Sequence, residues 1–162
     1  MKRILLIGLI LLLPAALFAE VGLGGAALYN SPVLVGGEIS KPDWNVNKFS
    51  FGPNLRFKWS ILQLEALALG SFGDFSSIDS YLNAGLAFDI LFLRLSAGGG
   101  LSLNYNLENQ EWGKGFNGKV NADVKLGKLS VGLTYIMDLN LDGGVNLDAS
   151  SGLLGATVMF WF

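Results

Sequence analysis

The ionisable residues of this 162-residue chain that fall in a regular array are Arg56, Lys58, Arg94, Lys119 and Lys125 against Glu65, Asp89 and Asp123. Arg56 and Lys58 flank Phe57, Asp89 stands between Phe88 and Ile90, and Arg94 stands between Leu93 and Leu95. Charge at every second position with apolar residues between puts the charges on one face of extended strands. Such a set can fill an interior by ion pairing, or it can line a path for ions and small solutes, since ionisable groups at membrane depth often mark conduction. It is poorly suited to catalysis. With Cys 0 and His 0, the chain has no thiol nucleophile, imidazole base, disulfide or nitrogen and sulfur metal ligands. No Ser lies in a recognisable nucleophile setting, so no catalytic residue and no cofactor is expected.

Two short motifs suggest other chemistry. Asp138, Asn140, Asp142 and Gly143 match the front of a D-x-[DN]-x-[DN]-G calcium loop, in which alternating oxygen ligands surround the ion. The twelfth position is Ala149, where that loop requires a bidentate Glu. A hairpin tip at Asp142, Gly143 and Gly144 accounts for the same residues, so no metal is expected. Gly22, Gly24 and Ala27 spell G-x-G-x-x-A, but no βαβ pattern surrounds them, and dinucleotide binding is not supported.

The elements that position the charges follow from composition and period. Hydrophobic residues make up 51%, charged residues only 15%, and there are 22 Gly. Disorder is excluded, because disordered chains are poor in apolar residues and rich in charge. Eleven basic against 13 acidic residues leave no electrostatic footprint for nucleic acid. Lys2 and Arg3 precede an uncharged apolar run from Ile4 to Ala19, which reads as a secretory signal over residues 1–19, with an uncleaved anchor as the alternative. Its removal would take the formal charge from −2 to −4.

After Glu20 no apolar run is long enough for a spanning helix, and the sequence alternates instead. Phe49, Phe51, Leu55, Phe57 and Trp59 oppose Ser50, Asn54, Arg56 and Lys58. The same pattern recurs over 62–68, 81–90, 93–105, 119–126 and 129–135, and 21–29 and 152–162 complete eight strands. Tight turns are expected at Ser60 and Ile61, Leu91 and Phe92, and Gly127 and Lys128. Longer loops are expected at roughly 30–48, 73–79, 106–117 and 140–150. Two-residue turns would set Arg56 across from Glu65, and Asp89 across from Arg94, so that opposite charges meet in both hairpins.

Three turns on one side, four loops on the other and an even strand number describe an all-β, eight-stranded antiparallel up-and-down transmembrane barrel over residues 20–162. The apolar face carries Trp59, Phe72, Phe88, Tyr105, Tyr135, Phe160 and Phe162 near strand ends, as an aromatic girdle requires. A soluble periplasmic lipocalin-like binder is the alternative, and it would turn the apolar face inward.

On these residues the mature chain resembles the small outer-membrane β-barrels of the OmpA/OmpX type. Its last residues, with Phe162, Phe160, Val158, Ala156 and Leu154 alternating, resemble their C-terminal assembly strand; Thr157 stands where many of them carry Gly. The resemblance does not extend to a peptidoglycan-binding module. It implies location in the cell outer membrane of a diderm bacterium, contact with outer-membrane lipid and the barrel assembly machinery, and a monomer. The barrel enzymes that modify lipid A or cleave phospholipid use a His that is missing here. The expected role is therefore structural or surface-interacting through the external loops, with a narrow pore as the alternative. In either case Arg56, Glu65, Asp89, Arg94, Lys119 and Asp123 are the candidate lumen ion pairs.

Overall fold

The computed structural model describes residues 19–30, 34–35, 38–39, 45–71, 77–140 and 146–162. The expected signal run before Ala19, Phe72, and Asp142 and Gly143 of the calcium-like motif lie outside them. Eight long strands, β1 (Ala19–Asn30), β2 (Phe49–Trp59), β3 (Leu62–Ser71), β4 (Ser77–Ile90), β5 (Leu93–Asn106), β6 (Glu111–Leu126), β7 (Leu129–Asn140) and β8 (Asn146–Trp161), form one closed antiparallel barrel. Each pairs with its neighbours in sequence, and β1 meets β8 to close the sheet. Closure leaves no strand edge unpaired, the condition for crossing lipid with strands. A two-residue ladder, Leu34–Val35 with Glu38–Ile39, lies between β1 and β2.

The three tight turns fall where alternation predicts them. Trp59 pairs with Leu62, Ile90 with Leu93, and Leu126 with Leu129. Ser60, Leu91 and Gly127 open these turns with φ of 55°, 55° and 68°, the positive dihedral that lets a two-residue hairpin follow the twist of its strands. At the other end the third expected loop is mostly strand. The β5–β6 ladder runs on to Asn106 and Glu111, and only Leu107 to Gln110 turn. The Asn106 Oδ1 accepts hydrogen bonds from the backbone N–H of Glu108 (2.9 Å) and Asn109 (3.1 Å), which fixes that turn. Alternation fails over Glu111, Trp112, Gly113 and Lys114 because a hairpin beyond the apolar band has no greasy side to satisfy, whereas backbone pairing needs none.

Side-chain facing reverses that of a soluble barrel. Leu55, Leu64, Leu82, Leu101, Leu133 and Val158 are exposed on the outside, while Arg56, Arg94 and Asp123 are fully buried within. The lipocalin-like alternative is overturned on this point, since a water-soluble barrel would have to expose its charges and bury its leucines. Trp112, Phe160 and Phe162 are exposed, with the Tyr105 ring tilted against Trp112 at 4.6 Å near the loop end and Phe160 edge-on to Phe162 at 5.1 Å near the turn end. A glycine pair allows the wall to curve tightly: Gly85 faces Gly98 across β4 and β5, and a Cβ on Gly85 would lie 2.3 Å from the Ala97 carbonyl oxygen.

Candidate functional site

The lumen holds three layers. The central one is built on Arg56, carried inward by β2 and wholly buried. Its Nε donates to Glu65 Oε1 (2.9 Å) on β3, and its Nη1 donates to Asp123 Oδ2 (2.8 Å) across the barrel on β6. Lys119 Nζ donates to the same Glu65 oxygen (2.6 Å), as does Asn54 Nδ2 (2.7 Å). The four charges Arg56, Lys119, Glu65 and Asp123 cancel. That balance matters because an unpaired ion at this depth would carry several kcal/mol of desolvation.

Lys119 and Asp123 share a strand and a face, yet they are bonded to other strands' residues: Lys119 reaches Glu65, and Asp123 reaches Arg56. The network therefore ties β2, β3 and β6 together rather than joining neighbouring hairpins only. Thr157 explains a departure from the assembly-strand pattern. Facing inward from β8, its hydroxyl donates to Asp123 Oδ1 (3.2 Å) and accepts from Arg56 Nη2 (3.3 Å). A glycine there would leave both without that partner. Asn121 adds a contact to Arg56 Nη2 (3.5 Å) and bonds Ser96 and Thr134.

Space for the Asp123 carboxylate is made by the glycine facing it. Gly132 pairs with Asp123 across β6 and β7, and a Cβ on Gly132 would lie 2.0 Å from Asp123 Oδ1 and 2.7 Å from the Ala122 carbonyl oxygen. Gly132→Ala should displace the carboxylate from Arg56 and destabilise the barrel by about 1–3 kcal/mol, the range for overpacking. Urea unfolding in micelles measures this. An unchanged midpoint would contradict the crowding.

The second layer lies towards the turn end. Arg94 grips Asp89 with two bonds, Nε to Oδ1 (2.6 Å) and Nη2 to Oδ2 (2.9 Å), and its Nη2 also donates to Glu20 (2.5 Å). Lys58 and Lys125 both reach Asp89 Oδ2 at 3.2 Å. The Arg94 guanidinium stacks 4.2 Å from the ring centroid of Trp161, whose Nε1 donates to Ser130 Oγ (2.9 Å). Glu20 and Trp161 escaped the sequence reading of the lumen. Glu20 sits beside the expected cleavage point, whereas the inward placement of Trp161 could have been read from its parity with Thr157.

The third layer, towards the loop end, is apolar. Leu28, Leu67, Leu69 and Ile136 are almost fully buried and pack with Ala26 and Tyr81. Leu67 and Leu69 share the parity of Glu65, which identifies their face, but apolar residues on a polar face give no separate signal in composition. Above this layer the barrel opens into a cup of about 580 Å³ at the loop end. Below it, beside Gln63, Asn83 and Ser96, lies a space of about 10 Å³, roughly one water.

Val158 and Phe160 lie on the outer face of β8, exposed, with Phe162 exposed just beyond its end. Asp138 lines the cup, while Asp142 and Gly143 of the calcium-like motif lie outside the described residues.

A closed eight-stranded antiparallel barrel with charge inside and apolar residues outside is the fold of the small outer-membrane β-barrels. Among solved structures, the chain is similar to Neisserial surface protein A (NspA), with a TM-score of 0.50 and 16% identity over 89% of this chain and 96% of that one. It also matches Ail, the attachment invasion locus protein of Yersinia pestis, with a TM-score of 0.44 and 13% identity over 89% and 97% of the two chains. No protein-family model matches the sequence, and no curated protein does.

Proposed function

We propose that this chain is a monomeric integral protein of the outer membrane, non-enzymatic and closed to solutes, that acts at the cell surface through its loop end. The observation that carries the reading is the filled lumen. A neutral, fully buried ion network and an apolar layer lie in series, with space for about one water between the walls beside them. Eight strands leave an interior that side chains can fill, so these charges serve packing rather than passage. Contact with outer-membrane lipid follows from the apolar outer band. The assembly machinery would read the Val158, Phe160 and Phe162 edge. The lack of His and Cys supports a non-catalytic role, and the word "surface" in the name of NspA agrees with the orientation.

The absence of Cys makes orientation directly testable. Asn109→Cys in the β5–β6 turn should react with a membrane-impermeant maleimide on intact cells, and Leu91→Cys in the opposite turn should react only after the outer membrane is opened. The reverse labelling, or recovery of the protein in the soluble fraction with no gel shift on boiling, would overturn the reading. Reconstituted in a planar bilayer, the purified barrel should be silent; discrete conductance steps would favour the narrow pore.

A further inference from the structure

We propose that the cup at the loop end is a binding site for an uncharged, hydroxyl-rich ligand of saccharide type, about one or two sugar units in size. The cavity of about 580 Å³ falls within the span of small-molecule sites. Its wall is built by the loop-end residues of all eight strands, and neutral polar side chains recur along five of them: Asn30, Ser50, Ser71, Ser77, Ser102 and Asn104. Hydroxyls and carboxamides both donate and accept, which is what vicinal hydroxyl groups require of a partner.

The charges present argue against an ionic ligand. Asp79 is held by Asn104 Nδ2 at 2.5 Å, and among the lining residues Lys48 and Lys114 balance Asp79 and Asp138, so neither sign prevails. Tyr81, Ile136 and Leu153 form the floor. They offer an apolar surface to the C–H face of a sugar ring, and they rest on the packed layer of Leu28, Leu67 and Leu69. That layer makes the cup a blind pocket rather than the vestibule of a channel. A ligand can be retained there but not passed.

The proposal rests on the surface-facing reading only for its biological side; binding itself can be measured on the isolated barrel. The full chain, refolded in phosphocholine micelles that carry no sugar headgroup, is titrated with maltose, lactose, cellobiose and N,N′-diacetylchitobiose and followed by amide NMR. At least one should give saturable shifts at millimolar concentration, centred on Ser71, Ser102 and Asn104. Ser102→Trp, which fills the cup, should weaken that binding by about tenfold or more while the gel shift on boiling shows the barrel folded. Glucuronate and glucosamine should bind no better than the neutral sugars. Absence of saturable shifts with all four, undiminished binding by folded Ser102→Trp, or tighter binding of either charged sugar would overturn the proposal. The maleimide experiment fails or succeeds separately, so a wrong orientation and an empty cup are distinguishable.

Discussion

Arg56→Ala should lower the stability of the barrel by about 3–5 kcal/mol, because it leaves buried carboxylates with one cation too few. The wild-type group of Arg56, Lys119, Glu65 and Asp123 is neutral, and each member but Lys119 is held by more than one bond. After the substitution Glu65 keeps Lys119 at 2.6 Å, so the uncompensated charge falls on Asp123, which retains only Thr157. The charge count therefore names the suppressor. Arg56→Ala with Asp123→Ala restores neutrality and leaves the Lys119–Glu65 pair intact, so the double variant should be no less stable than Arg56→Ala alone. Arg56→Ala with Glu65→Ala leaves Lys119 and Asp123 as a separated pair of opposite sign, and its loss should be less than the sum of the single losses. Both are read from urea midpoints in micelles or lipid. Strict additivity in both cycles would mean that the cross-barrel bonds contribute nothing to stability.

This network also shows what the sequence could and could not reveal. Alternation placed Arg56 and Glu65 on one face, and the two-residue turn at Ser60 and Ile61 fixed their register, because a hairpin is a local object whose pairing depends on turn length alone. The Arg56 bond to Asp123 joins residues 67 apart in sequence across the lumen. No local rule reaches it, since it depends on how the closed barrel brings β2 opposite β6. Similarly, Thr157 looks like a departure from the assembly-strand pattern until closure sets its hydroxyl between Arg56 and Asp123. The ends of the strands were legible only within the apolar band. Beyond it both faces meet water, so the β5–β6 hairpin lost its hydrophobic period while keeping its ladder, and the expected long loop became a four-residue turn. The mouth cup was invisible for a related reason: Ser and Asn spaced through five strands carry no motif, and only the barrel gathers them.

The outer face is governed by a different rule, and one strand can test it by depth. Leu82, Leu86 and Ile90 all point outward from β4 and are 51%, 43% and 55% exposed, so surface accessibility does not distinguish them. Position does. Leu82 lies between Ala66 of β3 and Leu101 of β5 near mid-barrel, whereas Ile90 closes the strand at the turn. If lipid surrounds the barrel, Leu82→Arg should cost about 2–4 kcal/mol, and the cost should fall through Leu86→Arg to about 0–1 kcal/mol for Ile90→Arg, because an arginine close to the interface reaches water and one at the midplane cannot. Folding equilibria in phospholipid vesicles measure the three. A barrel whose outside met water would tolerate all of them within about half a kcal/mol, as exposed positions usually do. A flat profile would remove the membrane from the account while leaving the lumen network untouched. An arginine at position 56, at comparable height, holds the structure together because the wall encloses it with two carboxylates, while an arginine at position 82, on the other side of the same wall, would have no such partner.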